Sequence, residues 1–306
     1  MSDPAIRVEG LSRRYGGTTA LSSASFAVER GEMFGLIGPD GAGKTTLMRI
    51  LASLIDADEG EVRILGLSVR TEAARIREII GYMPQHFSLY ADLTVAENLR
   101  FFADLFGVPA AERRKRTEEL LEFSRLGPFV TRRAGALSGG MKQKLALSCA
   151  LIHTPEVLLL DEPTTGVDPV SRREFWDTLG RLRERGVTIL VSTPYMNEAS
   201  LCGRLVFIHR GKILAAGSVE EIASLFRGTV IAASGRDLRA VSARLKGVVA
   251  TEYVRILGNA VQVIVPAERR GAVERLIGEM RHEGLVSESE EVAPGVEDSF
   301  VTLMRE

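Results

Sequence analysis

The sequence predicts a mostly parallel α/β domain followed by a small α+β domain. Three observations carry this expectation. Short β-rich runs alternate with helical patterns over about residues 1–220, the order that builds a parallel sheet with covering helices. A glycine-rich loop, Gly38 to Thr45, separates an apolar run from a helical one. After a composition shift near Gly217 the pattern becomes more regular and reads βαββαβ, the ferredoxin-like order.

The elements follow in chain order. Residues 6–8 and 26–28 read as short strands around a Gly-Gly turn. Residues 33–37, Met-Phe-Gly-Leu-Ile, form a compact apolar run that ends in Gly38-Pro39, as a buried strand entering a loop does. Leu47, Ile50, Leu51 and Leu54 have helical spacing and predict a helix over 45–53. Two further helices are expected at 94–106 and 110–123, split by Gly107 and Pro109. Residues 157–160, 187–191 and 205–208 are short β-rich runs. In the C-terminal part, strands are expected at 229–233, 249–256, 261–265 and 285–288, with helices at 238–245 and 273–280. Gly258-Asn259 is the hairpin-prone dipeptide between the middle two strands.

Composition narrows the function classes. The chain has 306 residues, 39 Lys+Arg against 40 Asp+Glu, 45% hydrophobic and 26% charged residues. That is an ordinary globular balance, and it excludes disorder, collagen and a disulfide scaffold. A net charge of −1 gives no electrostatic footprint for nucleic acid, so no nucleic-acid partner is expected. The longest stretch without a charged residue, 15–28, falls short of the about 20 apolar residues that span a bilayer. The start, Met-Ser-Asp-Pro, leads us to expect no secretory signal. Cys149 and Cys202 lack CxxC spacing, and His86, His153, His209 and His282 are scattered, so structural roles in a reducing compartment are expected. Arg113-Arg114-Lys115-Arg116, followed by Glu118 and Glu119, reads as a solvated helix face.

Gly38-Pro39-Asp40-Gly41-Ala42-Gly43-Lys44-Thr45 matches G-x4-G-K-[ST], with Thr46 following. Glycines let the backbone wrap so that N–H groups face phosphate oxygens, and the helix that follows points its positive end at the same anion. Lys44 would reach the β- and γ-phosphates, and the Thr45 hydroxyl would ligate Mg²⁺. Val157-Leu158-Leu159-Leu160-Asp161-Glu162 is an apolar strand ending in two acids. Asp161 suits Mg²⁺, and Glu162 can reach a water in line with the γ-phosphate.

At Leu137-Ser138-Gly139-Gly140-Met141-Lys142-Gln143-Lys144 the sequence resembles the signature motif of ABC-type ATPases, and it lies between the phosphate loop and the acidic strand as in that family. Further residues fit. Tyr15 resembles the aromatic that stacks on adenine, Gln85 the glutamine of the Q-loop, and Gly166-Val167-Asp168 the D-loop. The resemblance covers about residues 4–220. It implies a P-loop NTPase ABC cassette with a RecA-like core and a helical subdomain at about 86–155, in a domain of residues 1–220, with an accessory or regulatory domain at 227–306. It also implies ATP and Mg²⁺ as cofactors, with Thr45, Asp161 and Gln85 around the metal and Glu162, Lys44 and Gln85 as catalytic groups. Tyr15, residues 38–46 and Ser138, Gly139 and Gly140 would hold nucleotide. Ser138 belongs at a helix N-cap, where Gly139 and Gly140 offer bare N–H groups; in the family these face ATP on a second cassette, so a homo- or heterodimer is implied.

Within the family the chain is most similar to ATP-binding subunits of type-two exporters of the drug-resistance and multidrug-efflux kind. The residues that carry this are Leu89-Tyr90-Ala91-Asp92-Leu93-Thr94-Val95-Ala96-Glu97-Asn98-Leu99, the Met-Lys-Gln-Lys ending of the signature, and the close Val296-Glu297-Asp298-Ser299-Phe300-Val301. The resemblance implies an integral membrane permease as partner, met near His86-Phe87-Ser88-Leu89-Tyr90, and a place on the cytoplasmic face of the cell membrane. Two positions depart from the pattern. Asp40 replaces the usual Asn and is expected to point outward. Pro194 stands where the family has a His that contacts the γ-phosphate, so slow turnover is expected at the site built on Lys44. The competing readings are a non-transport ABC ATPase acting on ribosomes or DNA, and a regulatory nucleotide-binding subunit without turnover.

Overall fold

A computed structural model describes residues 3–86 and 89–304. Phe87 and Ser88, the centre of the segment expected to meet a membrane partner, lie outside the described residues. The chain divides into two compact units between Ala216 and Gly217.

The first unit opens with a long hairpin. Strands β1 (Ile6–Tyr15) and β2 (Thr18–Val28) pair antiparallel from Ile6 against Val28 to Tyr15 against Thr18. Sequence periodicity marks only its base, because register shifts at three points between Val8 and Arg14 break the alternation of buried and exposed residues. After β3 (Met33–Ile37), strands β4 (Glu59–Ile64) and β5 (Leu67–Ser68) join the hairpin in a four-stranded antiparallel sheet, ordered β2-β1-β4-β5. The expectation of one mostly parallel sheet did not include it.

The second sheet is the expected one. It contains β3 with β6 (Ile80–Met83), β7 (Val157–Asp161), β8 (Thr188–Thr193), β9 (Arg204–His209) and β10 (Lys212–Ser218), in the order β10-β9-β3-β8-β7-β6. The pairs β3–β8, β3–β9, β7–β8 and β6–β7 are parallel. Every residue of β3, β7 and β8 is buried, which is why these strands read as unbroken apolar runs. Because the strands are parallel, Ile37, Met83, Asp161 and Thr193 end at one edge of the sheet. The loops they feed meet there, where open parallel sheets bind ligands.

Helices α1 (Lys44–Leu51), α2 (Ala73–Ile79), α3 (Val95–Leu105), α4 (Ala110–Ser124), α5 (Gly139–Leu151), α6 (Pro169–Glu184) and α7 (Met196–Ala199) complete the unit. A capping box between Thr94 and Glu97 starts α3. One core joins the antiparallel sheet to α1 through Leu11, Leu21, Phe34, Leu47 and Met48. A second, on the other side, holds Leu99, Leu145, Leu158, Leu160, Phe175 and Trp176. The basic run in α4 is ion-paired throughout: Arg113 to Asp104 at 2.6 Å, Arg114 to Glu118 at 2.9 Å, Lys115 to Glu119 at 3.9 Å, and Arg116 to Glu112. Arg114 and Lys115 face solvent as the sequence suggested, while Arg113 and Arg116 are half-buried and donate to the Val108 and Ile152 carbonyls.

The second unit begins with α8 (Val219–Ser224). Strands β11 (Thr229–Gly235), β12 (Val254–Leu257), β13 (Ala260–Val265) and β14 (Val286–Val292) form an antiparallel sheet ordered β12-β13-β11-β14, the split βαβ arrangement. Helices α9 (Leu238–Lys246) and α10 (Arg270–His282) bury Val241, Leu245, Val273, Ile277 and Met280 in its core. Two strand boundaries differ from expectation. The strand expected at 249–256 begins only at Val254, since residues 251–253 form a 3-10 turn. The last strand runs on to Val292, hidden by the exposed Glu288, Glu290 and Glu291. A closing helix, α11 (Val296–Leu303), carries the Val296-Glu297-Asp298-Ser299-Phe300-Val301 segment.

Candidate functional site

The loop after β3 is built by exclusion. A Cβ on Gly43 would lie 2.4 Å from the Ala20 carbonyl oxygen, and the backbone φ there is +108°, so only glycine fits. Gly43 is also the N-cap of α1 and supplies no side-chain cap, which leaves the first N–H groups of that helix to a ligand. Thr45 and Thr46 are half-buried in the first turn. Asp40 is exposed, as expected of a residue that would otherwise oppose an anion.

Lys44 is 3% exposed, and its ammonium is held from three sides. Nζ donates to the Gly38 carbonyl at 2.8 Å and to the Pro39 carbonyl at 3.0 Å, and lies 3.0 Å from Glu162 Oε1. Gln85 Nε2 donates to Glu162 Oε2 at 2.9 Å, and the Thr165 hydroxyl donates to the same oxygen at 3.3 Å. Glu162 has φ +49°, a left-handed conformation that strains a residue with a Cβ. Hydrogen bonds from its own N–H to the Ser192 carbonyl (3.1 Å) and to Ser192 Oγ (3.0 Å) hold it there.

Asp161 is fully buried. Its Oδ1 accepts a hydrogen bond from Ser192 Oγ at 2.6 Å, while Oδ2 has no hydrogen-bond partner among the described residues. Burial pushes its carboxyl above the usual range, opposed by the Ser192 and Thr45 hydroxyls; the Glu162 charge adds to the rise and Lys44 counters it. A buried carboxylate oxygen with no donor, beside the Thr45 hydroxyl, is the hard oxygen set that a Mg²⁺ ion takes. The residues present therefore fit the metal that the phosphate loop implies.

The chain thus brings Lys44, Gln85, Asp161 and Glu162 together from β3, β6 and β7. Tyr15 is engaged elsewhere: it lies half-exposed near the hairpin turn, with the Arg13 guanidinium 5.0 Å over its ring. Ser138, Gly139 and Gly140 form a second amide cluster at the start of α5. Ser138 is the N-cap, and its hydroxyl accepts from Met141 N at 3.4 Å. A Cβ on Gly140 would come 2.5 Å from Ser171 Cβ, so packing against α6 requires that glycine. A Cβ on Gly139 would meet only the Gly166 carbonyl, at 3.6 Å, so nothing in its own chain requires it. Sequence reasoning missed Ser192, whose only signal is a hydroxyl inside an apolar strand. It also missed Thr165.

A strand-end carboxylate pair facing a phosphate loop could belong to many nucleotide-hydrolysing folds, and the comparisons decide among them. The ABC transporter family pattern matches residues 21–165. The Nod factor export ATP-binding protein I of Ralstonia nicotianae is 43% identical over 78% of this chain and 75% of its own length. The chain belongs to the ABC transporter ATP-binding family. The probable multidrug ABC transporter ATP-binding protein YbhF of Escherichia coli is 38% identical over 99% of this chain, which spans 53% of that longer relative. Among solved structures, the ATP-binding subunit of an ABC transporter matches with a TM-score of 0.66 and 31% identity, covering 72% of this chain and 92% of that one. The dimeric post-hydrolysis cassette MJ0796, bound to ADP and Pi, matches with a TM-score of 0.64 and 28% identity over 70% of this chain and 98% of that one. The cassette fold expected from the sequence is therefore the observed one. Among the described residues, no helix of this ABC chain is long and apolar enough to cross a membrane.

Proposed function

We propose that this chain is the ATP-binding, energy-coupling subunit of an exporter. It binds MgATP, pairs with a second cassette and drives a separate membrane permease from the cytoplasmic face. The observation that carries this reading is the cluster of buried Lys44, Asp161 and Glu162 with half-buried Gln85 at the carboxyl edge of the parallel sheet. The names of its relatives, multidrug transport and Nod factor export, support export as the work done. Loop amides from Gly41 to Thr45 hold the β- and γ-phosphates, and Lys44 neutralises them. Thr45, Asp161 and Gln85 are the residues that would hold Mg²⁺. Held there, the metal would supply positive charge against the negative charge that develops on the phosphates. Glu162 orients and polarises the attacking water. Tyr15 stacks on the base once it turns from Arg13.

Ser138, Gly139 and Gly140 serve the γ-phosphate of ATP on the second cassette. Gly139 supports this assignment, since its own fold does not ask for a glycine there. The unit from Gly217 onward acts as an accessory, dimerising or regulatory module.

Turnover at the Lys44 site is slow because Pro194 supplies neither a side-chain donor nor an N–H. One missing charge-stabilising donor costs about 10²–10³ in rate. Single-turnover hydrolysis of γ-labelled ATP should therefore rise by about 10²-fold in Pro194→His. A wild-type rate already equal to that of the variant refutes the role given to Pro194. Because Ser138-Gly139-Gly140 is intact, the second cassette is a different chain that keeps its His. Full activity in a transporter holding only this cassette refutes that arrangement.

A further inference from the structure

Within the first unit, one buried carboxylate lies outside the cluster. Glu198, in the short α7, is 1% exposed and meets three segments of the cassette. Its Oε1 accepts a hydrogen bond from the Thr164 hydroxyl at 2.7 Å, and its Oε2 accepts one from the Thr193 hydroxyl at 2.5 Å. Arg172 Nε, on α6, lies 3.6 Å from Oε1. Burying a carboxylate is costly unless donors and a cation surround it, and here both are supplied.

Each of these partners is tied to a loop of the site. The Thr193 carbonyl accepts from Gly38 N, the first residue of the phosphate loop, at 3.3 Å. The Thr193 hydroxyl also accepts from Tyr195 N at 3.0 Å. Thr164 follows Glu162 by two residues and leads into the Gly166-Val167-Asp168 turn. Arg172 Nη2 donates to the Val167 carbonyl of that turn at 3.5 Å, and its guanidinium sits 4.4 Å over the Tyr195 ring. One carboxylate therefore joins the phosphate loop, the loop containing Pro194, and the 164–168 turn. A leucine at 198 would fill the same space and join none of them.

We propose that Glu198 is a positioning residue for phosphoryl transfer, holding these three loops as one body. ATP seated on Lys44 then also fixes the 164–168 turn, which lies beside Gly139 and Gly140 at the start of α5. The proposal rests on the ATP-site reading above. It also explains how the loop at 194 keeps its place: Pro194 has no side-chain donor, so the flanking Thr193 and Tyr195 are held through Glu198 and Arg172. A carboxylate can accept both threonine hydroxyls at once. An amide accepts on one side only, so one hydroxyl must turn round, and the Arg172 charge is left unbalanced.

The test uses the full chain as wild type, Glu198→Gln, Thr164→Val and the double variant. Saturating single-turnover hydrolysis of γ-labelled ATP and MgATP affinity are measured side by side. Glu198→Gln should lower the saturating rate about 10-fold, within the 10²-fold that a misplacement of about 1 Å costs, with affinity changed by no more than about threefold. Thr164→Val should give a smaller fall, and the double variant should be no slower than Glu198→Gln, because the groups act as one unit. Should Glu198→Gln not fold, Thr164→Val alone carries the rate-against-affinity split. A wild-type saturating rate in the folded variants overturns the proposal, as does strictly additive loss in the double variant. So does a lowered thermal midpoint with an unchanged rate per folded molecule. Failure of the wild type to bind MgATP would overturn the ATP-site reading and this proposal together, and it would be visible before any variant is compared.

Discussion

Replacing Ser192 by alanine separates the support of the site from the chemistry performed on it. Ser192 is fully buried, and its hydroxyl donates to Asp161 Oδ1 at 2.6 Å while accepting from Glu162 N at 3.0 Å. Alanine removes both bonds. The Glu162 amide keeps the Ser192 carbonyl at 3.1 Å, so its loss is small. Asp161 loses its strongest donor, and its other oxygen already has no hydrogen-bond partner among the described residues. A hydrogen bond to a charged group is worth about 1.5–3 kcal/mol, and that is the expected destabilisation at pH 7.5 without metal. The loss has a ceiling, because the carboxyl can take up a proton instead, and the wild-type carboxyl already lies above its ordinary value.

The sign of the pH dependence follows from the same bond. Burial raises the folded Asp161 carboxyl, and the Ser192 hydroxyl holds it down. Ser192→Ala therefore raises it further. A carboxyl whose folded value lies above its unfolded value favours folding only at low pH, and that advantage is lost as pH rises through the folded value. The difference between variant and wild type is thus largest above both folded values and fades towards about pH 4. Trp176, the only tryptophan, is buried in α6, so its fluorescence in urea with a chelator reports the cassette alone. A difference below about 0.5 kcal/mol at pH 7.5, or one that is equal at pH 7.5 and pH 5, refutes the argument.

Other consequences are as direct. Gly140→Ala should cost about 1–3 kcal/mol by urea denaturation, because its Cβ would sit 2.5 Å from that of Ser171, and Ser171→Gly should restore most of the loss. Gly139→Ala, whose Cβ would make only an ordinary contact with the Gly166 carbonyl, should leave stability within about 0.5 kcal/mol and show its effect only in ATPase assays with both cassettes present. Cys149 and Cys202 are both buried, and burial pushes the Cys202 thiol up to about 12, so mass spectrometry should find neither alkylated at pH 8 in the native chain and both after denaturation. Asp298→Ala removes a buried acid that accepts from Gly295 N at 2.7 Å and pairs with Arg255 at 2.6 Å. A loss near the lower end of about 3–5 kcal/mol is expected, since Arg255 keeps Glu297 at 3.0 Å, and hydrogen exchange in α11 should rise.

How much of this was legible in the sequence follows from how each contact is made. Strands β3 and β7 are covered on both faces, so their apolar runs announce them. By contrast β4, Glu-Gly-Glu-Val-Arg-Ile, is half exposed, and β5 is two residues long, so neither carries a periodic signal. Lys44, Asp161 and Glu162 were legible because a phosphate loop and an acidic strand end are local patterns whose spacing is set by one turn of backbone. Ser192 and Glu198 were not. Ser192 looks like a polar accident in a strand, and Glu198 looks like a helix-surface acid beside Asn197 and Ser200. Their meaning comes from Asp161, Thr164 and Arg172, which only the fold brings beside them.

The pairing of Lys44 with Glu162 bears on how the site can work. Both side chains are almost fully buried, and the ammonium at 3.0 Å balances the carboxylate. A phosphate arriving at the loop competes for the same ammonium, because Lys44 already donates to the Gly38 and Pro39 carbonyls and has one remaining direction, now taken by Glu162. Drawing Lys44 towards phosphate leaves Glu162 with Gln85 and Thr165 as its donors, both neutral. A buried carboxylate that has lost its cation gains most from a polarised water, which is the state a base for hydrolysis needs. Gln85 comes from the segment just before residues 87 and 88, where a membrane partner is expected, so displacement of that segment would withdraw a donor from Glu162. In the function proposed for this chain, Lys44 meets phosphate and so readies Glu162, and Gln85 would give a membrane partner a means to modulate it.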